Sequence, residues 1–503
     1  MPVVLVLLVT LPLAATIACA AVSQRVAAVV SALTGVITLV LAVVLVPGAL
    51  EHTQYALRYL RADPLSVVFV LGTCFLYAAT AIYSVGYLAA EARAVRDESV
   101  EQQIRFARHS RQFYLGLNAF AWSMICAPLV NELALLWIAV EITTVVSALL
   151  VALDNTEGAT EAAWKYVLIA SSGLGIALLA TIFMYYAGSQ VLGQSYDLAF
   201  DPLMRGAAHL PHTAVRLAFV LAVVGYGTKV GLFPVHTWLP DAHAEAPTPV
   251  SALLSGSLLA VSFYAILRYY QISVVALGPR FPQTVLLVFG VLSLLLAALY
   301  LLEQRDIKRL LAYSSVEHMG ILAIGVSFGA PLALSGVLLH VLAHAAAKGN
   351  AFMGAGVLVR KFGTKELRAM ADGIRVLPWS GPLFLIAVLA LSAMPPFGLF
   401  RSEFQIVAGG FAHARNAATA VLVCLVTLAF LGLTLATTRI LFRPVPDTAE
   451  PDAQALARGE PSRWMVAPVV AGVLVLLILG LAPPADLINL LNHAASDLAV
   501  GAR

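Results

Sequence analysis

The chain has 503 residues, of which 61% are hydrophobic and only 11% are charged. Soluble domains carry charged residues at about a quarter of their positions, so this composition excludes a water-soluble globular protein. The net charge is only +3, and no basic cluster with interleaved aromatic residues indicates binding to nucleic acid. The composition therefore predicts a polytopic protein of the lipid bilayer.

Apolar runs close to the length of about 20 residues that crosses a bilayer recur along the whole chain. They predict an all-α membrane protein with about fourteen transmembrane helices. The first run has no Lys or Arg before it, unlike a signal peptide, so we expect it to be retained. The predicted spans are 2–22, 26–48, 64–89, 112–129, 131–152, 163–187, 212–244, 248–272, 283–302, 308–328, 331–358, 378–410, 414–441 and 465–484.

The seventh and twelfth predicted spans are overlong and contain prolines that interrupt a helix. They hold Pro234 and the pair Pro395-Pro396 of LALSAMPPFGLFRSEFQIV. In a membrane the freed backbone groups need protein or water as partners, so a broken span usually lines a cavity. Because the breaks are five spans apart, we predict two inverted five-helix repeats, spans 4–8 and 9–13, with ion sites near the membrane midplane. The alternative is a coincidence between two proline kinks.

The distribution of basic residues predicts the orientation of the chain. With fourteen spans and an outside N-terminus, 19 of the 30 Lys and Arg lie on the cytoplasmic side and 9 lie outside, as the positive-inside rule requires. We therefore expect both termini outside the cytoplasm, in a cell inner (plasma) membrane. We expect four domains. Residues 1–110 hold the first three spans and a loop, 111–272 and 273–442 hold one half-channel each, and 443–503 hold a polar loop and the last span.

Ionisable side chains inside the predicted spans are the candidate functional residues, because charge in a bilayer carries a large free-energy penalty. Glu141 and Lys229 lie in spans 5 and 7, and we predict that they form an ion pair that controls the protonation of the lysine. The Gly-Pro break after Lys229 would admit water to it. Four further candidates are Glu317 and His318 in span 10, and Arg401 and Glu403 after the second break.

A stripe of three ionisable residues occupies one face of span 11. His340, His344 and Lys348 in HVLAHAAAKGN are spaced i, i+4 and i+8. A proton path fits this stripe, because imidazole can accept a proton at one nitrogen and release it at the other. Packing alone is one alternative. A zinc site is another, but no third ligand is suitably spaced and Lys348 would repel a cation, so we expect no metal.

No cofactor site is expected in the chain. The four cysteines lie far apart in apolar runs without a C-x-x-C, which gives no support for an iron–sulfur or zinc centre. The glycines of SSGLGIALL lie inside a span and do not follow a strand, so they do not indicate an NAD site. Any redox chemistry is expected to belong to partner subunits.

The stretch GTKVGLFPVHTWLPDAHAEAPTPVSALL resembles the signature of the antiporter-like proton-pumping subunits of respiratory complex I. That family includes large subunits of cation/proton antiporters and membrane-arm subunits of energy-converting hydrogenases. HVLAHAAAKGN and PPFGLFRSEF resemble its eleventh- and twelfth-helix motifs. The resemblance covers about residues 60–445, and YSSVEHMG and ALLSG look most like the F subunit of hydrogenase-4-type complexes.

The resemblance implies a proton-translocating subunit of a redox-driven complex, beside other membrane-arm subunits and a peripheral redox module. It implies that Glu141 and Lys229 are the family's essential ion pair, and that Lys348 and the histidines before it form a central hydrophilic axis. His236 and Asp241 lie in the signature motif and join the candidate residues.

Two positions depart from the family pattern. Ser255 stands where complex I subunits commonly have His, and Arg401 where they often have Lys. Because arginine rarely deprotonates, the shuttling role of that lysine does not transfer to Arg401. The alternative functions are a cation/proton antiporter subunit or the membrane partner of an inorganic-carbon uptake system, and, with less support, an inert scaffold.

Overall fold

The computed structural model describes residues 1–96, 98–444 and 456–499. Within them the fold is helical apart from one antiparallel hairpin, β1 (Gln54–Ala56) and β2 (Leu60–Ala62). The all-α prediction therefore holds except for this hairpin. The helices are α1 (Pro2–Ala21), α2 (Gln24–Glu51), α3 (Pro64–Ala94), α4 (Val100–Leu129), α5 (Leu133–Val151), α6 (Glu157–Leu192), α7 (Phe200–Gly206), α8 (His212–Val230), α9 (Trp238–Glu245), α10 (Thr248–Leu253), α11 (Leu259–Leu277), α12 (Arg280–Leu301), α13 (Ile307–Phe328), α14 (Pro331–Phe362), α15 (Gly373–Val376), α16 (Ser380–Leu391), α17 (Gly398–Ala412), α18 (Asn416–Phe442), α19 (Arg463–Leu481) and α20 (Ala485–Ala499).

Twelve membrane-spanning candidates in the described residues are long and apolar enough to cross a membrane, with α10 and α11 counted as one. Two predicted spans fall outside that set. Helix α4 begins with a polar segment, started by a capping box between Ser99 and Gln102, and the twelfth span is divided into α16 and α17. The polytopic helical fold is confirmed, and the number fourteen remains a prediction.

Both predicted helix breaks are present. Helix α8 ends at Val230 and is followed by Gly231, whose φ of +82° suits glycine, and α9 begins only at Trp238. The amide of Phe233 donates to Ser293 Oγ at 2.9 Å, and Trp238 Nε1 donates to the Thr228 carbonyl at 2.8 Å. These two backbone groups at the break are therefore satisfied by protein side chains, as the apolar surroundings require. The second break separates α16 from α17.

The helices around the two breaks pack in the same order. In the first set α4 contacts α5, α5 contacts α6, α6 contacts α8 and α8 contacts α11. In the second set α12 contacts α13, α13 contacts α14, α14 contacts both α16 and α17, and α17 contacts α18. This is the packing expected of the predicted repeats. The boundaries expected after residues 110 and 272 fall inside α4 and α11, so the division into domains remains a prediction.

Ion pairs cluster at the end of the bundle that is predicted to face outside. Buried Asp63 lies 2.7 Å from both Arg61 and Arg268. The ring of Phe200 lies against both guanidinium groups, 4.9 and 4.5 Å from their central carbons. Arg61 also pairs with Asp201 at 2.9 Å. This network joins β2, α3, α7 and α11, which are far apart in the chain.

We expect Asp63→Asn to lower the free energy of unfolding by about 3–5 kcal/mol, because Arg268 would remain buried without a carboxylate. The measurement is denaturant-induced unfolding of the purified protein in detergent. The matched control is Asp197→Asn, because Asp197 pairs with Arg58 at an exposed site, where an ion pair contributes about 0–1 kcal/mol. Equal destabilisation by the two substitutions would contradict the prediction.

Candidate functional site

Lys229 lies fully buried at the end of α8, against α5. Its ammonium group donates to the Val140 carbonyl at 3.1 Å and to the Thr144 hydroxyl. Glu141 lies on the same turn of α5, accepts from Ser171 Oγ at 3.0 Å, and has its Oε2 buried without a partner in the described protein. The Lys229 ammonium group thus bonds to the turn of α5 that carries Glu141, but the two side chains form no salt bridge of 4.0 Å or less. Their pairing remains a prediction.

Lys348 on α14 is held by α13 in the same manner. It is fully buried and donates to the Leu311 carbonyl at 2.9 Å and to the Ser314 hydroxyl. Glu317 lies one turn further along α13, and its Oε2 is buried without a partner among the described residues. Lys229 and Lys348 therefore each donate to one carbonyl and one hydroxyl of a neighbouring helix, which carries a carboxylate within a turn of them.

Three buried histidines form a compact group beside Lys348. The ring centres of His318, His340 and His344 lie 5.1, 5.1 and 6.2 Å apart. His318 Nδ1 lies 3.1 Å from His340 Nε2, and His340 Nδ1 lies 3.0 Å from Ser402 Oγ. Neither ring nitrogen of His344 has a polar partner in the described part of the chain. The predicted stripe on α14 thus extends to α13 and α17.

The hydrogen bonds are compatible with one defined arrangement of protons on the ring nitrogens. In this arrangement Ser402 Oγ donates to the Leu399 carbonyl at 2.8 Å and accepts from an N–H at Nδ1 of His340. A neutral imidazole has one donor and one acceptor nitrogen, so His340 Nε2 accepts from His318 Nδ1. His318 Nε2 is then a free acceptor, and it has no partner in the described residues. This group can accept a proton at His318 and release one at His340.

Glu403 on α17 adds a carboxylate to the histidine group. One ligand atom each from His318, His340 and Glu403 lie within 4.8 Å of one another. This group contains only His340 of the His340/His344 pair, and spacing along one helix does not reveal it. The expectation of no metal site remains a prediction. Two imidazoles and a carboxylate could bind zinc. However, the imidazoles hydrogen-bond to each other and Lys348 lies on the helix of His340, an arrangement that favours proton exchange.

His243 on α9 is a buried residue that was not among the predicted ones. Its Nδ1 lies 2.8 Å from the Leu239 carbonyl, and its Nε2 has no partner in the described structure. The ring lies 6.4 Å from that of Trp238, which follows the break after Lys229, and 5.6 Å from that of Phe352, one turn beyond Lys348. His243 therefore contacts one residue near each lysine, Trp238 after the break that follows Lys229 and Phe352 one turn beyond Lys348.

We call the line through these groups the lysine–histidine row. It consists of Lys229, His243, Lys348, His344, His318, His340 and Glu403.

Two candidates from the signature motif lie away from the lysine–histidine row. Asp241 pairs with Arg309 at 2.6 Å and with Lys165 at 3.4 Å, so it joins α9 to α13 and α6 at the end of the bundle. His236 lies in the break between α8 and α9, stacked on Phe233 with ring centres 6.4 Å apart. These ion pairs give Asp241 a structural role that does not require it to take part in proton transfer.

The two positions that depart from the family pattern have defined contacts. Ser255 lies in a π-helical turn, Leu254–Leu258, between α10 and α11, and its hydroxyl is 2.7 Å from that of Ser315. Such turns occur frequently at functional sites, and Ser315 adjoins the residue that holds Lys348. Arg401 donates to the Gly480 carbonyl of α19 at 3.5 Å, which directs it away from the histidine group.

The fold and the lysine–histidine row define an antiporter-like membrane subunit. Residues 130–431 match the family described as NADH:quinone oxidoreductase/Mrp antiporter, transmembrane. The chain is 36% identical over 376 residues to "Hydrogenase-4 component F homolog" of Methylacidiphilum infernorum (isolate V4), covering 73% of this chain and 76% of that protein. The chain belongs to this family, and the predicted resemblance is confirmed.

Two further similarities concern antiporters. The chain is 30% identical over 376 residues to the A/B subunit of a probable K⁺/H⁺ antiporter of Rhizobium meliloti (strain 1021), and the match covers 74% of this chain but only 36% of that protein. A chain of the solved Mrp complex from Dietzia sp. DQ12-45-1b shares the fold with a TM-score of 0.82 and 21% identity, over 99% of this chain and 98% of that chain.

We expect Thr144→Val to lower the free energy of unfolding by about 1–3 kcal/mol, because the buried Lys229 ammonium would lose one of its two acceptors. The matched control is Thr143→Val on the same helix, since that buried hydroxyl bonds only to the Val140 carbonyl of its own helix. Unfolding in detergent measures both. Identical stabilities for the two variants would show that Thr144 does not hold the lysine.

Proposed function

We propose that this protein translocates protons across the membrane as a subunit of a redox-driven complex of the hydrogenase or quinone oxidoreductase type. The observation that carries the proposal is the lysine–histidine row, whose titratable groups lie on neighbouring helices of an apolar core and are all buried except Glu403, which is partly exposed. Several of its histidine nitrogen atoms lack a partner among the described residues. Buried polar atoms are almost always hydrogen-bonded, so we expect water along the row.

In this proposal the two carboxylate–lysine units control when protons move. Lys229 keeps its proton while Glu141 is close and releases it when the two separate. Glu317 and Lys348 repeat this arrangement in the second half. The histidines then relay the proton toward Glu403, from His318 Nε2 to the Nδ1 side of His340.

The redox assignment rests on the relative named as a hydrogenase-4 component F homolog. The driving reaction would belong to a peripheral redox module, with other membrane-arm subunits beside this chain. The plasma membrane and the outside location of both termini are part of the proposal. They are supported by the 19-to-9 distribution of basic residues.

Lys348→Met should abolish proton pumping, because the row would lose a proton carrier at its centre. The complex should still assemble, with partner redox turnover retained but uncoupled or slowed. The measurement is donor-driven acidification of vesicles that contain the purified complex, with redox turnover recorded in parallel. Asp241→Asn is the control, since Asp241 lies outside the row and should leave most pumping intact. Normal pumping by Lys348→Met would refute the proposed function.

His340→Ala should reduce pumping more than His344→Ala. His340 connects His318 to Ser402 through both of its nitrogens, whereas His344 has no polar protein contact among the described residues. A water molecule can occupy the space that His344 leaves and restore a hydrogen-bonded connection. Initial pumping rates of the two variants test this order, and a more severe loss in His344→Ala would contradict it.

Single cysteines introduced at Ala455 and Arg503 should react from opposite sides of the membrane. Both positions lie outside the described residues, and the prediction rests on the basic-residue count alone. The measurement is labelling of intact cells and inverted vesicles with a membrane-impermeant maleimide. Cysteines at Arg58 and Glu303 provide references for the predicted outer and cytoplasmic ends. Labelling of both test positions from one side would refute the orientation.

A cation/proton antiporter subunit is the second candidate function. The relative named for a K⁺/H⁺ antiporter favours it, as does membership of a family that includes Mrp antiporters. The purified complex in vesicles distinguishes the two functions. Proton movement driven by an imposed K⁺ or Na⁺ gradient without an electron donor supports the antiporter, whereas movement that requires a donor supports the redox-driven pump.

A further inference from the structure

A basic cavity lies outside the lysine–histidine row, at the end of the bundle predicted to face the cytoplasm. Its volume is about 300 Å³. It is enclosed by the loop between α12 and α13, the segment after α14 and the last turns of α18. Its charged lining residues are Arg305, Arg368, Arg439, Arg443 and Glu303. Four guanidinium groups thus face one carboxylate.

The guanidinium groups of this cavity have donors available for a ligand. Arg305, Arg368 and Arg439 form no salt bridge of 4.0 Å or less with a carboxylate of residues 1–96, 98–444 or 456–499. Arg443 donates through Nη2 to the carbonyls of Arg368 and Met370, but its buried Nε has no partner in those residues. A buried N–H of a cationic group needs an acceptor, and an anion in the cavity would supply one.

An apolar surface continues from the cavity along α18. Leu431, Leu435 and Arg439 follow one another at i, i+4 spacing, so they share one helical face, with about 6 Å between successive positions. Arg443 directly follows the end of α18. Leu431 and Leu435 are 46% and 52% exposed. This face is therefore apolar toward the middle of the helix and cationic at its end, which matches the polarity of a phospholipid in a bilayer.

The packing beneath the cavity keeps this ligand at the protein surface. Gly432 allows α18 to approach the end of α12 so closely that a Cβ there would lie 2.8 Å from the Leu301 carbonyl oxygen. The two helices are closed against each other at that point. A ligand in the cavity can extend only outward, along the exposed leucines.

We infer that this cavity binds the phosphate of an anionic phospholipid, with its acyl chains along Leu431 and Leu435. Planar guanidinium groups bind phosphate oxygens in pairs, and basic pockets between membrane helices suit anionic lipid headgroups. A soluble phosphate ion would use the same arginines but not the leucines. The site is independent of the proposed proton translocation, because it shares no residue with the row.

The test is lipid binding to the delipidated complex in detergent, measured by native mass spectrometry with phosphatidylglycerol, phosphatidylcholine and inorganic phosphate as probes. Phosphatidylglycerol should bind, and phosphatidylcholine should bind much more weakly. The double substitution Arg305→Gln with Arg439→Gln should lower the affinity for phosphatidylglycerol about thirtyfold. This is the effect expected when two basic residues at an anionic headgroup are lost. The control, Arg108→Gln with Arg111→Gln, removes two exposed arginines of α4 outside the cavity and should leave binding unchanged.

Two further measurements distinguish a phospholipid from a free phosphate ion as the ligand of the cavity. The double substitution Leu431→Ser with Leu435→Ser should weaken the binding of phosphatidylglycerol. Millimolar inorganic phosphate should not displace the bound lipid. Equal binding of the two lipids, displacement by inorganic phosphate, or an equal effect of the control pair would overturn the inference. If the arginine-to-glutamine pair does not assemble, Arg305→Lys with Arg439→Lys replaces it. The lysine variant keeps both positive charges but loses the paired hydrogen bonds that a guanidinium makes to phosphate oxygens. Unchanged lipid binding by this variant would therefore also count against the site.

Discussion

The contact of Lys348 with α13 is the interaction on which the central part of the structure depends. An ammonium group in an apolar core must be satisfied by protein dipoles or charges. Here the Leu311 carbonyl and the Ser314 hydroxyl do so. The same helix bonds to Ser255 through Ser315 and to His340 through His318. Helix α13 is therefore a common support, and its placement determines the geometry of the row.

The ends of the bundle and its centre satisfy buried polar groups in different ways. At the predicted outer end, Asp63 is bound by two arginines at close distance, and such fully paired networks are rigid. In the centre, Glu141 and Glu317 each keep one oxygen without a partner among the described residues. A firmly paired outer end and an incompletely bonded centre suit the proposed proton movement, which requires rearrangement in the centre alone.

Much of the fold could be predicted from the sequence, because apolar length and proline are local signals. The membrane helices and the breaks after Lys229 and before Glu403 were predicted in this way. The proximity of Glu403 to His318 could not be, because it depends on how α13, α14 and α17 pack. His243 had a usable signal: Asp241 and Glu245 share the outer face of α9 at i, i+4, so the residue midway between them faces inward.

The hydrogen bonds from His318 through His340 to Ser402 all have their donors on the same side. When a proton enters at His318 and another leaves from His340, each imidazole is left as its other tautomer and the whole chain of bonds is reversed. A second proton cannot follow in the same direction until the rings have turned back. In the proposed relay the group therefore moves one proton at a time, and both rings must be reset before the next transfer.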